Sequence, residues 1–322
     1  MEFQLFTGNL TNPTILFFVL GMIAIWFKSD LEVPESSSKF ISLYLLFSIG
    51  FKGGQELSHS SFNQEIFFSL LFGIAIALLI PFYVFFILKR KLSIYDSAAL
   101  SASFGSVSAV TFVAAMSFLE YRQLQSGGHM VAVMAMMEAP AIIVGVMLLK
   151  LFSKEEEQER KVSFSHVLKH SITNGSVLLI VGSLLIGIIS DSKQAEGINH
   201  FTNDIFKGFL SIFLLEMGML TAKRFSAFKK YGFMLVLFGI AIPLINGCAV
   251  ALLSKWITLD VGNRFVFAIL AASASYIAVP AAMRIAIPKA DPGLYIPMAL
   301  GVTFPFNITL GMPIYFWLVE RF

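Results

Sequence analysis

Residues 71–76 read Leu-Phe-Gly-Ile-Ala-Ile, and the same six residues return at 237–242. The offset of 166 residues is about half of the 322-residue chain. Further echoes come in the same order: Ser101-Ala102-Ser103-Phe104 returns as Ser273-Ala274-Ser275-Tyr276, and residues 45–50 return more loosely as residues 213–218. Ordered echoes at similar offsets indicate that the chain consists of two copies of one half.

The composition is that of a membrane protein. Hydrophobic residues make up 57% of the chain, charged residues only 13%, and the mean hydropathy is +0.80. Soluble domains usually contain about 25% charged residues. The net charge of +3 is too small to indicate a nucleic-acid partner, and the single cysteine, Cys248, excludes a disulfide framework. The chain has no phosphate loop, nucleotide fingerprint or nucleophile elbow, so we do not expect an enzyme.

Ten apolar runs are long enough, or nearly so, to cross ~30 Å of hydrocarbon. We therefore predict an all-α polytopic membrane protein with ten transmembrane helices. We expect the first repeat at 1–152 with spans 1–5, a cytoplasmic linker at 153–165, and the second repeat at 166–322 with spans 6–10. The predicted spans are 12–27, 38–51, 65–88, 97–118, 130–151, 172–190, 206–221, 232–254, 265–285 and 295–319.

The charges of the loops predict the orientation of the chain. One set of alternate loops holds sixteen of the 23 Lys and Arg residues, and the other set, which includes Arg264 and Lys207, holds seven. The richer set belongs on the cytoplasmic side, so both termini are expected outside. Because each half has five spans, an odd number, the second half enters the membrane upside down, and the halves form an inverted repeat.

The fourth and ninth spans contain the residues most suited to chemistry. Residues 101–111 hold five hydroxyl residues and Gly105 near the middle of the fourth span. In the ninth span Pro280 removes an amide donor, which kinks or breaks a helix. Backbone groups freed in hydrocarbon cost several kcal/mol each unless they line a cavity. Two interrupted helices at matching positions therefore predict a shared polar cavity.

The directions of these two spans predict an anion site. The second half of each span begins at the midplane, so two positive helix ends face each other there. The N–H groups expected to be free are those of Ser106, Val107, Ser108, Ala278 and Val279. The alternative is that these small residues and serines serve close helix packing.

An anion held only by amides and hydroxyls needs a mobile positive partner, because the central stretches contain no Lys or Arg. Na⁺ is a suitable partner, because broken helices expose oxygen atoms that can coordinate it. A proton is the alternative coupling ion. Glu138 in the fifth span is either a cation ligand, a proton carrier or a structural hydrogen-bond partner. For Glu216 we favour interhelical hydrogen bonding. The residues expected to hold the cation are Ser103, Thr111, Glu138, Thr303 and Asn307.

Several stretches resemble the sodium-dependent bicarbonate transporter family of bacteria and cyanobacteria, and the resemblance covers essentially the whole chain. They are Asp96 with Phe104-Gly105-Ser106-Val107-Ser108, Glu138-Ala139-Pro140-Ala141, Leu210-Ser211-Ile212 with Met217-Gly218-Met219, and Ala271-Ala272-Ser273-Ala274-Ser275 with Ala282-Met283-Arg284 and Ile287-Pro288.

This resemblance implies Na⁺-coupled bicarbonate uptake across the bacterial inner membrane, an elevator-type movement of a core domain against a scaffold, and a homotrimer. Bicarbonate would lie between the crossed fourth and ninth spans, with Na⁺ nearby and the lipid bilayer around the protein. The residues implied or expected around the anion are Gly105, Ser106, Val107, Ser108, Ser273, Ser275, Ala278 and Val279.

The chain departs from the cyanobacterial pattern in two places. After Ser275 that pattern is more polar, whereas this chain has Tyr276-Ile277-Ala278-Val279-Pro280. Uptake of another small anion, such as a carboxylate coupled to Na⁺ or H⁺, is therefore the alternative, and a passive anion channel is a further one. The linker is also shorter, which bears on whether the family's PII-like cytoplasmic regulator binds.

Overall fold

The computed structural model describes residues 13–59, 63–153, 173, 175–224 and 232–322, and all regular structure in these ranges is helical. The predicted linker therefore lies outside the described residues, apart from Ser153. The helices are α1 Pro13–Trp26, α2 Glu35–Ser58, α3 Gln64–Leu88, α4 Ile94–Gly105, α5 Ala109–Tyr121, α6 His129–Phe152, α7 Gly175–Ile189, α8 Phe206–Arg224, α9 Phe233–Leu253, α10 Val261–Ala272, α11 Ala278–Ala286 and α12 Pro292–Arg321, the last with two π-helical turns.

The all-α prediction is confirmed for the described residues, and several helices suit a membrane. Six helical stretches in this part of the chain are long and apolar enough to cross one, and α1, α7 and α10 are shorter apolar helices. That every predicted span crosses stays a prediction. The six stretches are Gln64–Leu88, Ile94–Tyr121, His129–Phe152, His200–Lys223, Phe233–Trp256 and Pro292–Arg321.

One predicted boundary was wrong. Helix α2 continues to Ser58, whereas the apolar run predicted an end at residue 51. The added turns carry polar residues that find partners, since the Gln55 side chain donates to the carbonyl of Ser190 at 3.0 Å. The helix therefore extends beyond its apolar part.

Four helices, α1, α2, α7 and α8, form what we call the four-helix group. Helix α1 packs along α8, and α2 packs along α7. The first pair approaches closely at Gly21 and Gly218: a Cβ on either would collide with the backbone carbonyl of Leu215 or Phe18, respectively. Small residues allow such approach in membrane proteins, where van der Waals packing rather than water exclusion holds helices together.

The remaining helices form the broken-helix group. Helix α4 packs against α3 and α6, and α10 packs against α9 and α12. Arg264, expected in an outer loop, is instead buried in α10, so that expectation was wrong. Its guanidinium donates to the carbonyls of Val319 at 3.0 Å and Ala251 at 2.9 Å, which ties α10 to both neighbours.

The predicted interruptions of the fourth and ninth spans are confirmed. The first break, residues 106–108, separates α4 from α5, and the second break, residues 273–277, separates α10 from α11. Pro280 does not mark the second break, as we expected, but is the third residue of α11. Its missing N–H falls in the first helical turn, where amides have no intrahelical partner, so it disturbs nothing there.

Candidate functional site

The two breaks bind each other directly. The N–H of Ser275 donates to the carbonyl of Ser103 at 2.8 Å, and the Ser103 hydroxyl donates to the carbonyl of Ser275 at 2.7 Å. The N–H of Ser108 donates to the Ser273 hydroxyl at 3.0 Å. All four residues are buried. Each break therefore satisfies backbone groups of the other, which lets irregular backbone persist at this depth.

A serine hydroxyl then accepts a hydrogen bond from an amide in the first turn of the helix that follows each break. The Ser108 hydroxyl accepts from the N–H of Thr111 at 3.2 Å, and the Ser275 hydroxyl accepts from the N–H of Val279 at 3.3 Å. Such caps satisfy amides that the first turn of a helix leaves open. The N-termini of α5 and α11 are thereby fixed beside the crossing point.

These bonds correct the set of amides that we expected to be free. The N–H of Ser106 donates to the carbonyl of Ala102 at 3.0 Å, and the amides of Ser108 and Val279 have the partners given above. For these three residues the expectation was wrong. The amides of Val107 and Ala278 form no hydrogen bond with another described residue.

A cavity of about 520 Å³ opens beside the crossing of the two breaks. The N-termini of both α5 and α11 contribute to its wall, and Glu138 lines it from α6. It extends to the N-terminal half of α2, the first turn of α7 and Phe213 of α8, all in the four-helix group. Its lining residues are Lys39, Ser42, Leu43, Leu45, Leu46, Val107, Ser108, Ala109, Val110, Val113, Glu138, Gly175, Ser176, Phe213, Ser275, Tyr276, Ile277, Ala278 and Ala281.

A comparison with protein families assigns nearly the full chain to one family. A model of the Na⁺-dependent bicarbonate transporter superfamily matches residues 13–320. The chain belongs to this superfamily. Comparison with curated proteins finds no match. Membership confirms the resemblance drawn from the sequence: the protein is a multi-pass membrane transporter rather than an enzyme, and its superfamily implies an anion substrate and Na⁺ dependence.

Half of the residues predicted around the anion line the cavity of this superfamily member: Val107, Ser108, Ser275 and Ala278. The other four do not line it. Ser273 and Val279 bind the breaks as described, and a Cβ on Gly105 would meet the ring of Pro81. The Ser106 hydroxyl is buried without a partner among the described residues.

Of the residues predicted to hold the cation, only Glu138 lines the cavity. The Thr303 hydroxyl donates to the carbonyl of Gly239, and the Asn307 amide donates to the carbonyl of Ala272, both at 2.8 Å. Ser103 is bound to the second break, and Thr111 is buried in the first turn of α5. A cation site formed by these five residues therefore stays a prediction.

Sequence reasoning missed the wall that the four-helix group supplies, above all Lys39, Ser42, Ser176 and Phe213. These residues lie on spans without a polar cluster, so no motif pointed to them. The repeat could have pointed to Lys39. It lies 168 residues before Lys207, and the same offset relates residues 45–50 to residues 213–218.

Proposed function

We propose that this protein is a secondary active transporter that takes up bicarbonate with Na⁺. The observation that carries the proposal is that two helix N-termini, those of α5 and α11, open into one cavity next to Ser108 and Ser275. Each terminus has a partial positive charge of roughly half a unit, and the serine hydroxyls are hydrogen-bond donors. A small anion fits such a place without a fixed Lys or Arg beside it.

The packing supports an inverted repeat of two five-span halves, residues 1–152 and 166–322. The contact of α1 with α8 and that of α2 with α7 exchange when the halves are exchanged. The starts of the broken spans correspond as well: Asp96 Oδ1 accepts from the N–H of Asp291 at 2.8 Å, and Asn263 Oδ1 accepts from the N–H of Gly127 at 2.7 Å. Each bond joins one half to the loop before the last span of the other.

The position of the cavity supports an elevator mechanism, in which the broken-helix group carries the anion past the four-helix group. One wall, with Leu46 and Phe213, belongs to the four-helix group, and the opposite wall belongs to the breaks. Sliding of one group against the other would then change which end of the protein the site faces. From the loop charges of the sequence we also propose that both termini lie outside the bacterial inner membrane. A homotrimer and a PII-like regulator stay predictions from the superfamily.

Glu138 provides the simplest coupling to a cation. A carboxylate in a cavity wall repels an anion bound nearby unless a cation or proton neutralises it. Na⁺ beside Glu138 would therefore make anion binding depend on Na⁺ binding. Ser103, Thr111, Thr303 and Asn307 would join the coordination only if their present bonds rearrange.

An organic carboxylate is the second candidate substrate, and one observation favours it. The cavity of about 520 Å³ has mostly apolar walls, such as Leu45, Val110 and Ile277. Such walls suit a carboxylate with a hydrocarbon part better than they suit bicarbonate. A passive channel is less well supported, because the cavity ends at the hydrogen-bonded crossing.

The deciding experiment is uptake of labelled bicarbonate into liposomes that contain the purified protein. We expect an inward Na⁺ gradient at constant pH to drive accumulation, and a Na⁺ ionophore to abolish it. The Ser108→Leu variant should be inactive, and Ser211→Leu, on the outer side of α8 and away from the cavity, is the matched control. Uptake that is equal without Na⁺ contradicts the coupling, and full inhibition by a small carboxylate without bicarbonate accumulation favours the second candidate.

A further inference from the structure

One lysine, Lys39, lines the large cavity, and it does so at the end where α2 and α7 begin. Its ammonium group forms no ion pair or hydrogen bond with another described residue. A single charge at the mouth of a cavity with apolar walls is screened less than one on an open surface, and it raises the local concentration of anions.

A smaller cavity of about 120 Å³ lies at the other end of α2. Its wall includes Lys52, Glu56, Glu120 and Phe206. Lys52 lies thirteen residues after Lys39, which along a helix corresponds to about 20 Å. The two cavities therefore lie at opposite ends of the boundary between the four-helix group and the broken-helix group.

An ion pair lies at this second end. Lys207 Nζ of α8 lies 3.1 Å from Glu120 Oε1 of α5, so the pair connects the four-helix group to the broken-helix group. Helix α11, which corresponds to α5 in the second repeat, contains no acidic residue between Ala278 and Ala286 but does contain Arg284. Lys39 forms no ion pair of this kind with another described residue.

Lys39 and Lys207 occupy equivalent positions of the two repeats. Each lies six residues before an echo, at residues 45–50 and 213–218. Because the repeats are inverted, equivalent positions fall at opposite faces of the membrane.

We propose that Lys39 and Lys207 collect anions at the two mouths of the transport path, and that the Lys207–Glu120 pair keeps the second mouth shut in this conformation. This proposal rests on the proposed function, since it assumes an anion cargo and alternating access. When the broken-helix group moves, the pair separates and Lys207 becomes available, as Lys39 is now. An exposed pair shifts such an equilibrium by roughly two- to fivefold.

The first test measures the KM for the anion from each face of oriented liposomes. We expect Lys39→Gln to raise KM about three- to tenfold on the Lys39 face only, without a change in kcat. Lys207→Gln should raise KM most on the opposite face, with a further shift of at most two- to fivefold from the loss of its pair with Glu120. Lys39→Arg should behave as wild type, and Lys91→Gln and Lys255→Gln, which remove exposed lysines away from both cavities, are the controls.

Ionic strength separates this role from a structural one. The Debye length falls from about 10 Å at 0.1 M salt to about 3 Å at 1 M, so the KM difference should disappear at high salt. A KM increase that is equal on both faces, or that persists at 1 M salt, overturns the proposal, as does an unchanged KM.

The second test needs no substrate, so it distinguishes failure of this proposal from failure of the proposed function. Ser126 is buried in the smaller cavity, and Ser126→Cys in a Cys248→Ser background reports its opening by the rate of thiol labelling. We expect Glu120→Gln to raise that rate two- to fivefold, whereas Glu196→Gln, an exposed control, should not. Equal rates in the Glu120 variant and its parent overturn the closing role of the pair.

Discussion

Both breaks interrupt a span and expose a helix N-terminus to the cavity, but they differ in length and in residue type. The first is three residues long and polar, with Ser106 and Ser108, whereas the second is five residues long and includes Tyr276 and Ile277. In the first break the capping serine directly precedes its helix. In the second break, Ser275 lies two residues farther from the start of its helix. The residues between Ser275 and the helix contact other parts of the protein.

The additional length connects the second break to the four-helix group. The Tyr276 hydroxyl approaches the Met217 sulfur of α8 at 3.8 Å, and its ring packs edge-on against Phe304 at 6.1 Å. The first break has no contact of this kind among those described. Under the proposed function, the first break would hold the anion, and the second would also contact the four-helix group against which the site moves.

Ser108→Leu tests the first half of this comparison and should have the largest effect. The leucine fills the cavity and removes both the hydroxyl donor and the cap of α5, so we expect anion affinity to fall at least a hundredfold. Loss of the cap should cost about 1 kcal/mol of stability. Isothermal titration measures the first effect and thermal unfolding the second. Ser275→Leu should lose less affinity, and an equal loss would remove the distinction between the breaks.

Glu138→Gln should have the next largest effect. The neutral amide no longer repels the anion and no longer attracts a cation, so Na⁺ affinity should fall about tenfold and anion binding should become independent of Na⁺. The measurement is anion affinity at several Na⁺ concentrations. Identical Na⁺ affinity in the variant and the wild type would reduce Glu138 to a structural residue.

The sequence predicted the breaks because their causes are local. Gly105 and the clustered serines in apolar spans are visible without a structure. The place of the second break was less predictable, since Pro280 is tolerated in the first turn of α11 and the chain leaves the helix earlier, at Ser273.

The bonding at the crossing was not predictable from one sequence, because it joins residues far apart in the chain. Ser103 and Ser275 exchange two hydrogen bonds across the repeats, and Ser273 occupies the N–H of Ser108 that we expected to be free. Lys39 was missed for a related reason. Only the packing of the four-helix group on the breaks brings it to the cavity.

The starts of the broken spans offer a third comparison between the halves. Asn263 is 4% exposed and, besides accepting from Gly127, donates to Glu65 at 3.2 Å, whereas the equivalent bond of Asp96 lies at an exposed end. Asn263→Ala should therefore lower the free energy of unfolding by about 2 kcal/mol, because buried groups lose their partners. Asp96→Ala should cost less than about 1 kcal/mol. Chemical unfolding in detergent compares the two, and equal losses would show that burial does not decide the difference.

Tyr276→Phe should have the smallest effect and tests the second break. It removes the contacts of the hydroxyl with the Met217 sulfur and with Ser108, and it keeps the ring against Phe304. Because the anion site keeps Ser108 and Ser275, affinity should stay within twofold of the wild type. Under the proposed elevator mechanism, the transport rate should change two- to threefold, since the lost contact joins the broken-helix group to the four-helix group. Stopped-flow uptake measures the rate and equilibrium titration the affinity. A change confined to affinity would place Tyr276 in the anion site and make the two breaks alike.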